Sequence, residues 1–114
     1  MNLDAKVLVV DDNENNRYTL KRRLARLGYP NAIEAADGLA ALKCLEAELC
    51  DIVLLDVMMP IMDGFEVLEK IKSTPKLANI SVIMISALDD IESVVKAIEM
   101  GADDYLPKPF NPIL

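Results

Sequence analysis

The 114-residue sequence contains no histidine. That excludes His-based catalytic triads, imidazole general bases and zinc sites with a histidine ligand. Cysteine is almost as scarce. Cys44 and Cys50 are too few for a disulfide scaffold or a four-thiolate metal site, and are expected to be small buried hydrophobes with free thiols. Aromatic residues reach only 4%, so the hydrophobic 53% must come mainly from Ile, Val, Leu, Met and Ala. No apolar run is long enough to cross a bilayer, and the start Met1-Asn2-Leu3-Asp4-Ala5-Lys6 is not a secretory leader, so a cytoplasmic protein without membrane contact is expected. Positive charge is also in deficit. A net charge of −7 repels phosphate backbones, which argues against direct binding of nucleic acid and leaves room for cations. A chain of this length makes one domain, and folding can bury roughly 65% of the surface that the unfolded chain exposes.

What is present is an alternation of apolar bursts and helical patterns. Lys6 to Val10 reads as a β-branched strand that stops at Asp11. Leu20, Leu24 and Leu27 then fall on one helical face, and Gly28 supplies the stop. Strands are expected at Ala32 to Ala35, Ile52 to Leu55, Ser81 to Ile85 and Asp104 to Leu106. Helices are expected at Gly38 to Glu48 with Leu42 and Leu45 inward, Gly64 to Ser73 with Val67, Leu68 and Ile71 inward, and Asp90 to Met100 with Val94, Val95 and Ile98 inward. Strands apolar on both faces and separated by helices form a parallel sheet covered on each side. Right-handed crossovers make this an open, doubly wound α/β fold. Asn111-Pro112-Ile113-Leu114 reads as the opening of a further helix, with Asn as N-cap and Pro at the first helical position, so the chain is expected to be a fragment of a longer protein that lacks most of its final helix.

In open parallel sheets ligands bind at the carboxyl edge of the strands. The residues there are Asp11 and Asp12, Asp56, Ser86 and Lys108. Singly, each has a plain reading as a cap, a turn residue or a surface charge. Together they bring three carboxylates, a hydroxyl and an amine to one edge. Two carboxylates ~4 Å apart repel by roughly 4 kcal/mol at an effective dielectric near 20. A hard divalent cation relieves that repulsion, and Mg²⁺ suits a site of one or two carboxylates, a carbonyl and waters. A metal, an ammonium and a hydroxyl around one aspartate suit phosphoryl transfer, with Asp56 as the nucleophile.

The motifs Val-Leu-Val-Val-Asp11-Asp12-Asn13, Leu-Leu-Asp56-Val-Met-Met-Pro60-Ile-Met-Asp63-Gly64, Ile-Ser86-Ala87 and Asp-Tyr105-Leu-Pro-Lys108-Pro109-Phe110 resemble those of the receiver domain of two-component response regulators. The resemblance spans essentially the whole chain and keeps motif order and spacing. It implies the flavodoxin-like strand order 2-1-3-4-5. It implies that Asp56 accepts a phosphoryl group from a phosphohistidine on a sensor histidine kinase or a histidine phosphotransfer protein. Asp12, Asp56 and the backbone carbonyl of Met58 would ligate Mg²⁺, and Asp11 would hold it through water. Lys108 would pair with the phosphoryl oxygens, and its bond to Pro109 would be cis. Ser86 would swing toward the phosphoryl group, Ala87 would stay small to leave access, and Tyr105 would rotate inward as Ser86 moves. The switched surface would control an output domain of the same chain or a partner protein. The resemblance further implies a signalling domain that catalyses only its own phosphorylation and dephosphorylation. Ser86 stands where threonine is commoner in the family. Met58 and Leu88, two residues after Asp56 and Ser86, flank the route of attacking water in such domains, and neither side chain can orient water by a strong hydrogen bond.

Other readings remain open. A degenerate receiver acting as an interaction module would share the fold. An aspartyl-nucleophile phosphatase of the haloacid-dehalogenase type would need a second acid where Met58 stands. A flavin electron carrier would need a phosphate cradle where Asp11-Asp12-Asn13-Glu14 stands. Lys21, Arg22, Arg23 and Arg26 read as a solvated helix face or a partner contact, and Met58, Met59 and Met62 as loop packing.

Overall fold

The computed structural model describes residues 4–88 and 90–108. The β-branched and aliphatic runs form strands β1 (Val7–Val10), β2 (Ala32–Ala35), β3 (Ile52–Asp56), β4 (Ser81–Ser86) and β5 (Asp104–Pro107). Between them lie helices α1 (Glu14–Arg26), α2 (Gly38–Ala47), α3 (Gly64–Ser73) and α4 (Ile91–Glu99). All the strand pairs are parallel, in the order β2-β1-β3-β4-β5. The expected fold class and strand order are therefore observed.

Each helix begins on a side-chain cap. Asn13, Asp37, Asp63 and Asp90 accept hydrogen bonds from the backbone N–H groups of Asn16, Ala40, Glu66 and Ser93. At Asp63 the capping is reciprocal, because the Glu66 carboxylate accepts from the Asp63 N–H. Helix α1 and helix α4 are followed by Gly28 and Gly101, whose φ values of 93° and 105° lie in the left-handed region.

The buried cluster is aliphatic, as the scarcity of aromatics requires. Val53, Leu55, Val82 and Met84 of the central strands meet Ala41, Leu45, Val67, Leu68, Ile71 and Ala97. Helix α3 buries the three residues expected of it. Helix α4 does not: Ala97 is its buried residue and Val94 is half-buried, while Val95 and Ile98 stand 44% and 47% exposed. Ile91, Val94, Val95 and Ile98 do share one face of the helix, but that face is largely exposed, and the small Ala97 at its edge is the residue that joins the buried cluster. Leu27, expected inward on α1, is exposed at the C-cap. Cys50 is buried and Cys44 half-buried, both as free thiols, and burial pushes the Cys50 thiol up to about 11. The opening of a further helix at Asn111 and the cis bond to Pro109 lie outside the described residues.

Candidate functional site

Strand register builds the site. Val10 pairs with Leu55, so the next residues, Asp11 and Asp56, stand side by side at the carboxyl edge. Asp56 pairs with Ile85, which brings Ser86 one step beyond it. Ser86 in turn pairs with Pro107, and Lys108 follows. Residues far apart in sequence thus meet because parallel strands in register end together.

Lys108 closes the group. Its Nζ lies 2.8 Å from Asp11 Oδ2 and 3.2 Å from Asp56 Oδ2. Both carboxylates are buried, at 2% and 4% exposure, whereas Asp12 is exposed. Asp11 is held by the Asn13 N–H at 2.8 Å and by the Asn16 side-chain amide at 3.3 Å. The Asp11 backbone carbonyl accepts from Arg17 at 2.7 Å, and Arg17 also pairs with Glu34. The Asp56 Oδ1 accepts from the Met58 N–H at 3.3 Å. Asn16 and Arg17 were not singled out as site residues. Their signal was spacing: each lies about one helical turn beyond the Asp12-Asn13 corner, on the side facing the strand end.

Burial and the neighbouring Asp11 carboxylate push the Asp56 carboxyl up from its ordinary value, and Lys108 and the Met58 N–H only partly offset this. Burial opposes the charge on Lys108, yet the hydrogen bond to Asp11 and the Asp56 charge raise the Lys108 amine above its ordinary value. One carboxylate oxygen from each of Asp11, Asp12 and Asp56 lies within 4.8 Å of the others. Three carboxylates against one ammonium leave an excess of negative charge. These hard oxygen donors, without nitrogen or sulfur, fit Mg²⁺ or a similar divalent cation.

Ser86 is fully buried, and its Oγ accepts from the Leu88 N–H at 3.0 Å. The Leu88 carbonyl accepts from the Tyr105 hydroxyl at 2.6 Å. One residue therefore joins Ser86 to the half-buried Tyr105. Ala87 is exposed between them in sequence, at the end of β4. No sequence signal indicated the Leu88 backbone as the link.

The loop after β3 carries the remaining residues. Gly64 N–H donates to the Val57 carbonyl at 2.8 Å and closes its neck. A Cβ on Gly64 would collide with the Asp56 carbonyl oxygen and lie 2.7 Å from Val57 Cα. Gly64→Ala is therefore expected to lower stability by about 1–3 kcal/mol, the usual cost of overpacking, and a thermal melt checks it. A variant as stable as the native chain would show that the neck has slack. Of the loop methionines, Met59 is buried and Met62 packs on the core, as expected, but Met58 is 57% exposed. On α1, Lys21 pairs with Glu34 and Arg22 lies over the Tyr18 ring.

Comparison with known proteins agrees with this arrangement. The family model described as response regulator receiver domain matches residues 7–113. The "Probable transcriptional regulator ycf27" of Guillardia theta is 42% identical over 107 residues, covering 94% of this chain and 41% of that protein. The response regulator PleD of Caulobacter vibrioides is 42% identical over 112 residues, covering 98% of this chain and 24% of that protein. The chain thus spans less than half the length of these relatives. Among solved structures, chemotaxis protein CheY4 of Vibrio cholerae superposes with a TM-score of 0.88 at 33% identity, covering 96% of this chain and 91% of that one. The Mn²⁺-bound form of response regulator Rcp1 superposes with a TM-score of 0.86 at 28% identity, covering 94% of this chain and 83% of that one. Sequence and fold point the same way over nearly the whole chain, which belongs to the response regulator receiver domain family.

Proposed function

We propose that Asp56 is the phosphoryl acceptor of a two-component relay, taking the group from a phosphohistidine of a sensor histidine kinase or a histidine phosphotransfer protein. The observation that carries this reading is the ammonium of Lys108 between the buried carboxylates of Asp11 and Asp56, with Asp12 beside them. An Asp56 oxygen forms the new P–O bond, the donor's P–N bond breaks, and the imidazole leaves. The Met58 N–H on Oδ1 and Lys108 on Oδ2 fix the plane of the attacking carboxylate. Lys108 also offers positive charge to the oxygens of the transferring group. Asp12, Asp56 and the Met58 carbonyl would hold Mg²⁺, with Asp11 acting through water, and the bound ion supplies further charge neutralisation at those oxygens.

Ser86 then has two competing partners, the Leu88 N–H and the new phosphoryl oxygens. If its hydroxyl turns to the phosphoryl group, the Leu88 N–H is released, and the Leu88 carbonyl that holds Tyr105 shifts with it. Ala87 leaves space for that movement. This is a two-state element biased by one added dianion. We read the chain as the receiver unit of a longer cytoplasmic protein, acting on an output domain of that protein or on a partner. The greater length of the relatives supports this.

The test is acetyl phosphate with Mg²⁺ and intact-mass measurement. A gain of one phosphoryl group, mapped to Asp56 and abolished by a chelator, is expected. A chain that binds the cation but is never labelled would be an interaction module. Multiple turnover of a small phosphate ester would make it a phosphatase.

A further inference from the structure

A cleft of about 440 Å³ is lined by Val57, Met58, Met59, Phe65 and Leu88, with Asp63. Two of these residues are bonded to the site itself. The Met58 N–H donates to Asp56 Oδ1, and the Leu88 N–H donates to Ser86 Oγ. The lining is apolar apart from Asp63, whose carboxylate caps α3. An aliphatic side chain at position 58 would keep the cleft equally apolar. Methionine differs from it in one chemical respect: its sulfur can be oxidised, and the oxidation can be reversed.

Met58 is also the methionine that solvent reaches first among the described residues. It stands 57% exposed, against 9% for Met59 and 0% for Met84, while Met62 and Met100 are half-buried against the core. A peroxide dissolved in water therefore meets the Met58 sulfur before the others. Neither free thiol lines the cleft. Cys50 is buried, and with its thiol pushed up to about 11 it holds little reactive thiolate.

We infer that Met58 is a site of reversible oxidation, and that conversion of its thioether to the sulfoxide by a peroxide shortens the lifetime of the phosphoryl group on Asp56. The inference rests on the function proposed above and adds to it a chemical modification of the cleft. With hydrogen peroxide, a sulfur lone pair attacks one peroxide oxygen. The S–O bond forms as the O–O bond breaks, and the other oxygen leaves as water. Sulfur is oxidised by two electrons and the peroxide is reduced by two. The side chain thereby exchanges a weak acceptor for a strongly polar S–O oxygen. That oxygen accepts a hydrogen bond from water in the cleft and orients it near the acyl phosphate. The Met58 N–H on Asp56 is not altered, so the acceptor keeps its place.

The experiment treats the native chain with hydrogen peroxide, then with a thiol reductant to reverse thiol oxidation. Treated and untreated chains are labelled by radioactive acetyl phosphate with Mg²⁺, and loss of label is followed after the donor is removed. One added oxygen, mapped by mass to Met58, is expected. The lifetime is expected to fall about threefold or more, less than a side chain that also takes the proton would give. Methionine sulfoxide reductase is expected to restore it. Peroxide is expected to leave the lifetime of Met58→Leu where it stood before treatment. Met58→Gln, which carries a polar acceptor from the start, is expected to lose label faster than Met58→Leu without any peroxide. An oxygen on Met58 with an unchanged or longer lifetime overturns the inference and leaves the proposed function standing. So does an equal fall in Met58→Leu, because the peroxide would then act elsewhere. Oxidation that reaches Met59 or Met84 before Met58 overturns it as well. If the untreated chain takes up no label, the proposed function fails and the inference falls with it.

Discussion

Asp56→Asn is expected to abolish phosphoryl uptake from acetyl phosphate and, in a chelating buffer, to make the domain more resistant to heat at neutral pH. The first effect follows from the loss of the nucleophile, since an amide oxygen forms no stable acyl phosphate here. The second follows from the electrostatics. The environment of Asp56 already includes the favourable charge of Lys108 and the Met58 N–H, and its carboxyl is nonetheless pushed up by burial and by Asp11. The net effect of the site on a negative charge is therefore unfavourable. The folded state binds a proton at Asp56 more readily than the unfolded chain does. Native stability is then greatest where Asp56 is protonated. It declines as pH rises from the ordinary carboxylate value of 3.8 to the raised folded value, and stays lower above it. The neutral amide does not titrate, so the gain of Asp56→Asn opens across that window and persists at neutral pH.

Lys108 sets the opposite limb. Its amine is raised because Asp11 and Asp56 outweigh burial, so its stabilising contribution is present below 10.5 and is lost as pH rises through the folded value. Removing the Asp56 charge leaves Lys108 with Asp11 and brings the alkaline decline to lower pH. We expect Asp56→Asn to melt at a higher temperature than the native chain at pH 7, and the two to converge as pH falls below 3.8. Melts of both proteins from pH 3 to 11 check the shape. A variant that melts lower than the native chain at neutral pH would mean that the Lys108–Asp56 pair outweighs burial and repulsion.

The features that could be read in the sequence were those set by local pattern plus topology. Continuous aliphatic runs marked β1 and β3, capping residues and glycines bounded the helices, and α3 had one clean apolar stripe. Once the strands were taken as parallel, Asp11, Asp56, Ser86 and Lys108 had to share an edge, because a parallel sheet in register ends together. What could not be read depended on tertiary choice. Ile91, Val94, Val95 and Ile98 form one apolar stripe on α4, so periodicity points to that face, yet most of the stripe is exposed and the small Ala97 at its edge is the buried residue. The hydroxyl of Ser86 was placed by its strand, but its partner is a backbone N–H from the following loop, which no side-chain pattern encodes. The positive φ at Ile61 was equally hidden, since glycine or asparagine would be the residues expected there.

The phosphoryl group on Asp56, once formed, is expected to be long-lived, and Met58→Asn combined with Leu88→Gln is expected to shorten its lifetime about tenfold or more. Water can hydrolyse the acyl phosphate only if it is oriented toward phosphorus and loses a proton as it attacks. A side chain that takes this proton contributes roughly 10²–10⁴-fold to such a step, and an amide that only orients the water contributes less. In the native chain the two positions that flank the approach carry a thioether and an aliphatic side chain, both lining the cleft beside Asp56. Neither gives water a strong hydrogen bond. Both substitutions keep the backbone groups that matter, the Met58 N–H on Asp56 and the Leu88 N–H and carbonyl that join Ser86 to Tyr105. They therefore alter the solvent route and leave the acceptor in place. Leu88 is half-buried, so a melting curve must first show that the double variant is folded at the assay temperature. The measurement is loss of radiolabel from the phosphorylated protein after the donor is removed. An unchanged or longer lifetime in the folded variant would show that the apolar rim does not limit hydrolysis.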